Sequence, residues 1–186
     1  MNSDLFKSIF VRVIQDYHIV NNVEATLLLP YYNYFENTLY EKCWIDTIQW
    51  HLEDIIRSKH INANYALDIK REIDLLNHKR VELVEKIEDY FVALLKDVKI
   101  VENPKTNTET IGWAIDRLSI LQLKLYHANE KMLIKKNEEK RHIYGKNLLT
   151  LSTQDKDLSK SIDNLIDLLK KGEIEVKTYR QIKMYG

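Results

Sequence analysis

The chain has 186 residues, 45% hydrophobic and 30% charged, with 28 Lys and Arg against 28 Asp and Glu, and only 4 Gly and 2 Pro. So high an apolar fraction excludes a disordered chain, and so little Gly and Pro excludes a linker or a collagenous protein. A formal charge of zero disfavours a general nucleic-acid binder, and the single cysteine, Cys43, excludes an intramolecular disulfide framework and most cysteine-based zinc sites.

The length suits one domain over residues 1–186, large enough to bury a core without staples. Asp4, Lys7, Arg12 and Asp16 interrupt the segment where a signal peptide needs an apolar run, and no stretch approaches the roughly 18–20 apolar residues of a membrane span. The expected location is the cytoplasm.

Sparse punctuation separates long periodic segments. The first predicted helix, 4–20, is capped by Ser3 and repeats Phe6, Phe10, Val13, Tyr17 and Val20 at helical spacing. A connection containing Pro30 leads to a second helix, 34–58, with Ile45, Ile48, Leu52 and Ile55 on one stripe. Asn62 can cap the third, 63–97, whose seam runs through Ile69, Ile73, Leu76, Leu83, Ile87 and Leu94, with Arg80 at a seam position. After a loop marked by Pro104, Thr108 or Thr110 opens a fourth helix reaching about 138. Beyond the charge run KKNEEKRH (135–142) and Gly145, a fifth helix covers 146–171, stopped by Gly172, and a short sixth covers 174–184. No strand signal and no internal repeat competes. The product is an all-α, elongated antiparallel helical bundle of four long helices plus one or two shorter ones.

Residues 111–128, IGWAIDRLSILQLKLYHA, are apolar at nearly every angle, which marks a central helix. Yet they include Asp116, Arg117, Lys124 and His127. Arg117 and Lys124 are seven apart and share a face; His127 and Asp116 fall on nearly the same side. Buried charges are costly unless paired, so the pattern means either neutralising partners on neighbouring helices or a polar pocket inside the bundle. Asn77 and Arg80 on the third helix can supply partners to Asp116. In WIDTIQWHLEDIIR (44–57), Glu53 and Arg57 make a surface ion pair. His51 lies on an apolar stripe, where a histidine is more often a hydrogen-bonded core residue than a ligand.

Known catalytic patterns are absent. A di-iron bundle needs two Glu-x-x-His motifs, and only Glu139 with His142 fits, inside the charge run. The carboxylates Glu82, Glu85 and Glu88 lack the Glu-x-x-Asp that helical nucleotide pyrophosphohydrolases add. Arg12 with His18 and Arg71 with His78 match the spacing of a class of helical ribonucleases, but chance alone supplies about one such pair in this composition. No P-loop, dinucleotide fingerprint, nucleophile elbow or His-Glu-x-x-His helix occurs, so neither a metal site nor a cofactor is expected. The terminal KTYRQIKMYG interleaves basic and aromatic residues and reads as a short docking helix.

Three segments, WIDTIQWHLEDIIR, TETIGWAIDRLSILQLKLYH (108–127) and KTYRQIKMYG, resemble an uncharacterised bacterial family of all-helical proteins, a domain of unknown function. The resemblance covers nearly the whole chain. It implies a shared polar core of Trp44, Asp46, Trp50, His51, Glu53, Asp54, Arg57, Asp116, Arg117 and His127. It also implies, through neighbouring glycosyltransferase genes of envelope polysaccharide synthesis, a connection to sugars or nucleotide-sugars. The family pattern places Asn-Gln ahead of the Arg on the third helix; here Asn77 is followed by His78, while Arg80 keeps its place.

Two functions fit. One is a non-catalytic bundle that binds a protein partner or self-associates, for which internal pairing should be complete and no pocket should open. The other is an enzyme or binding protein for an anionic sugar, nucleotide or nucleotide-sugar. There Arg80, Arg117 and Lys124, with Asn77, would hold the ligand. His51 or His127 would act as acid or base, steered by Asp54 or Asp116. The sequence leaves open whether the protein is an enzyme, and the first reading stands slightly ahead.

Overall fold

The structure, a computed structural model, describes residues 1–134 and 137–182. It contains five helices: α1 Ser3–Val20, α2 Tyr34–Ile56, α3 Ala63–Leu94, α4 Ile111–Ile134 and α5 Glu138–Lys170. No strand occurs among the described residues. At 1.5 Å per residue the 32 residues of α3 extend about 48 Å, so the bundle is elongated as expected.

Asparagine side chains set the helix starts. Asn33 accepts from the backbone N–H groups of Phe35 and Glu36, and Asn62 from those of Asn64 and Tyr65. The cap of α1 is Asn2 rather than Ser3. Ser3 instead donates from its N–H and hydroxyl to Asp163, at 2.7 and 2.8 Å, and so ties the start of α1 to α5. Thr110 opens α4, accepting from the N–H of Trp113.

Short connections place α2 beside α3 and α4 beside α5 as antiparallel pairs, and α1 packs on α2 and α4. Helix α4 touches all four others, which is why it is apolar at nearly every angle. One core draws on every helix, through residues such as Phe10, Leu39, Ile87, Leu118 and Ile162. Cys43 is buried within it, where desolvation pushes its thiol up to about 12. No described helix is long and apolar enough to cross a membrane.

Two expected elements differ. Helix α5 starts at Glu138, not after Gly145: Asn137 caps it by accepting from the N–H of Lys140, and Glu138 and Glu139 fill a first turn that favours negative charge. Residues 138–142 of the charge run therefore begin α5, and Gly145 is inside the helix. The sixth helix does not form over 174–182; Ile174 bridges Lys105 in extended conformation, and Arg180 reaches Glu85 and Asp89 on α3. Positions 183 and 184 of that expected helix lie outside the described residues. Gly172 does stop α5, with φ of 69°, and a Cβ there would overlap the carbonyl oxygen of Lys99.

Candidate functional site: a buried charge network, an open groove and a histidine cluster

Helices α2, α3 and α4 each send charged side chains to one point. Lys42, on the apolar stripe of α2, has no solvent exposure. Its ammonium lies 2.5 Å from Asp46 Oδ2 and 2.8 Å from Asp116 Oδ1, and also donates to the backbone carbonyl of Asp116. Arg80 grips Asp116 with both prongs, Nε to Oδ1 at 2.8 Å and Nη2 to Oδ2 at 2.6 Å. The Ser119 hydroxyl donates to Asp46 Oδ2 at 2.6 Å. Asp46 Oδ1 has no hydrogen-bond partner among the described residues but faces Arg80 Nε at 3.4 Å. Two cations thus balance two carboxylates. Burial pushes both carboxyls up. At Asp116 the charges of Lys42 and Arg80 outweigh burial and hold the group below its usual range; at Asp46 burial, aided by the charge of Asp116, prevails.

Arg80 has a second environment. Its half-buried guanidinium forms the floor of a groove of about 720 Å³ between α3, α4 and α5, also lined by Trp113, Arg117 and Lys124 with Glu109. The expected shared face of Arg117 and Lys124 is this one. Arg117 is exposed and donates to Glu109 at 2.8 Å. Lys124 makes no ion pair among the described residues. Asn77 lies on the other side of Arg80, lining a second groove of about 440 Å³ with Trp50 and Asp46; its Oδ1 is 3.4 Å from Arg80 Nη1.

The expected acid–base pairings do not form. The Asp116 carboxylate belongs to Lys42 and Arg80, and the exposed Asp54 bonds no histidine, pairing with Arg57 at 3.6 Å. Instead His51 of α2 and His127 of α4 meet His18 of α1. The ring centroids are 5.2 Å apart for His18–His51 and His18–His127, and 5.5 Å for His51–His127. One ring nitrogen from each lies within 4.8 Å of the others. Tyr17 stacks on His51 and Trp50 on His127. Burial, then the neighbouring imidazoles, hold His51 below the usual histidine range; burial likewise dominates at His127, against the bond to Glu130.

The other motif candidates stay apart. Arg12 sits over the Tyr31 ring and pairs with Asp16, whereas His18 joins the histidine cluster. Arg71 pairs with Asp68, and His78 with Glu82. Glu139 and His142 are exposed on the first turns of α5. The sequence pattern does not single out Lys42, and it sets His18 only beside Arg12. Lys42 carried one signal, its place three before Ile45 on the α2 stripe.

These features define an all-helical bundle with a neutral buried charge network beneath a cationic groove. The chain belongs to the family described as a protein of unknown function, DUF4254, which it matches over residues 36–178. Helix α1, with His18, precedes the matched segment. No curated protein and no solved structure matches the chain.

Proposed function

We propose that the protein binds a small anionic ligand carrying phosphate, of the nucleotide or nucleotide-sugar class, in the groove between α3, α4 and α5. The observation that carries this reading is the convergence of Arg80, Arg117 and Lys124 on one open groove of small-molecule size. Charge balance favours an anion. Lys42 and Arg80 already offset Asp46 and Asp116, so Arg117 and Lys124 face only Glu109 and leave a net positive groove. The Arg117–Glu109 pair is exposed, and such pairs are worth at most about 1 kcal/mol, so a ligand can recruit Arg117 at small cost. Arg80, which also lines this groove, is pre-oriented by its two hydrogen bonds to Asp116. Trp113 supplies an aromatic wall. A bundle devoted to a protein partner called for internal pairing with no accessible pocket; Asp116 and Arg117 do pair internally, and it is the open groove that favours a small ligand.

Isothermal titration with pyrophosphate, a nucleoside diphosphate and a nucleotide-sugar tests the proposal. Charge-assisted hydrogen bonds contribute about 1.5–3 kcal/mol each, so Arg117→Ala and Lys124→Ala should each weaken binding about 10–100-fold. Both side chains are exposed, so both variants should fold. No binding of any of the three compounds, or affinities that ignore both substitutions, overturns the reading.

A further inference from the structure

Of the buried side-chain nitrogens without a hydrogen-bond partner among the described residues, three belong to rings that meet at one location: the Nε2 atoms of His18, His51 and His127. Leaving one buried acceptor or donor unsatisfied is unfavourable, and three together from three helices call for a common partner. The Nδ1 atoms of two rings are already engaged. His18 Nδ1 donates to the carbonyl of Ile14 at 2.6 Å, and His127 Nδ1 lies 3.2 Å from Glu130 Oε2. A ring that donates from Nδ1 is the tautomer with a lone pair on Nε2.

We propose that His18, His51 and His127 form a binding site for a divalent first-row transition-metal ion, zinc foremost, ligated through their Nε2 atoms. An all-imidazole set suits zinc, copper, nickel or cobalt, whereas magnesium and calcium need oxygen ligands that are absent from this cluster. Tetrahedral zinc with Zn–N bonds of about 2.1 Å brings its nitrogens to about 3.4 Å of one another. One ring nitrogen from each histidine already lies within 4.8 Å of the others, so modest ring movements close the set. The surroundings match those of metal-binding histidines. Ile14 O and Glu130 orient two rings from outside, the carboxylate–histidine arrangement common at such sites. Tyr17 and Trp50 hold the planes of His51 and His127 by stacking. His127 is 5% exposed, yet it lines an opening with Lys124, and His51 lines another with Asp54, so an ion has routes in. Three protein ligands leave a fourth position for water or a substrate atom, the pattern of catalytic rather than structural zinc.

The proposal does not depend on the anion groove, and its test separates the two. The full chain, freed of any affinity tag and treated with a chelator, is titrated with Co²⁺ and then Zn²⁺. The expected result is the visible absorption of nitrogen-ligated Co²⁺ at one ion per chain, displaced by Zn²⁺, with a raised Tm in Zn²⁺. His51→Ala and His127→Ala should abolish the signal, and Arg117→Ala should leave it unchanged. Glu130→Gln, a milder change at the His127 orienting contact, should weaken Zn²⁺ binding about 10–100-fold. That variant decides the matter if a histidine variant fails to fold by circular dichroism. Absence of Co²⁺ absorption in the wild-type chain, binding that survives both histidine substitutions, or unchanged affinity in Glu130→Gln overturns the proposal and leaves the rings as an aromatic cluster.

Discussion

Replacing Lys42 by Met tests the buried network most directly. Met keeps most of the aliphatic length and removes the ammonium that lies 2.5 Å from Asp46 and 2.8 Å from Asp116. Two cations against two carboxylates become one against two, leaving an uncompensated charge in a place with almost no solvent. Breaking a buried pair in this way costs about 3–5 kcal/mol, a large share of the roughly 5–15 kcal/mol that hold a domain folded. For a chain of this size the loss corresponds to a fall in Tm of about 6–20 °C. Adding Asp46→Asn should restore much of it. The double variant returns the site to one cation and one carboxylate, Arg80 against Asp116, and the amide oxygen introduced at position 46 can still accept from Ser119. Urea unfolding of the wild type, both single variants and the double variant gives the coupling energy. A cost below about 1 kcal/mol for Lys42→Met, or a double variant as unstable as the sum of the singles, would refute the reasoning.

Two further substitutions test the contact between α3 and α4. Gly112→Ala should destabilise by about 1–3 kcal/mol in chemical denaturation, because the new methyl would sit 2.5 Å from Glu88 Cγ and 2.9 Å from the Val84 carbonyl oxygen, and backbone cannot swing aside; a neutral result would show that the helices separate freely. Glu88 itself is buried, with Oε1 accepting from the Thr110 hydroxyl, Oε2 unpartnered among the described residues, and Glu85, Asp89 and Arg180 nearby. Burial pushes its carboxyl above the unfolded value near 4.5, so its proton stabilises the folded state fully below that pH, and this contribution is lost as pH rises through the raised native value. Glu88→Gln cannot ionise, so its Tm relative to wild type should climb from acid to neutral pH; a constant difference contradicts the assignment.

The helices were legible because their apolar positions recur at helical spacing, and α4 announced its central place by being apolar nearly all round. The displaced boundary has a local cause. Gly145 resembles a break, but glycine inside a helix costs only about 0.5–1 kcal/mol, and a Cβ there would meet nothing within 4 Å. The Asn137 cap with Glu138 and Glu139 behind it is the stronger signal, hidden inside what reads as a solvated charge run. The C-terminal segment misleads differently. Ile174 and Val176 pack toward the core while Glu175 and Lys177 face out, a period of two that over so few residues also fits a short helix. At the site, Arg80 was visible as a charge in a seam and does meet Asp116. The histidine cluster was not visible: positions 18, 51 and 127 share no motif, and only the packing of α1 against α2 and α4 makes them neighbours.

The division of labour along α4 follows from its geometry. Each step along a helix turns about 100°, so adjacent residues face different neighbours. Asp116 points into the network and is almost fully buried, whereas Arg117 emerges into the groove. One helix therefore carries a residue whose loss leaves Lys42 and Arg80 short of a counter-charge beside one whose loss touches only the surface. Arg80 belongs to both sides: it neutralises Asp116 from within and lines the groove from without. A ligand oxygen that drew on Arg80 would compete with Asp116 for the same guanidinium, so the proposed binding would be coupled to the electrostatics of the core at that residue. Removing Arg80 would mix loss of stability with any loss of binding, whereas the exposed Arg117 and Lys124 are the positions at which the proposed binding can be tested alone.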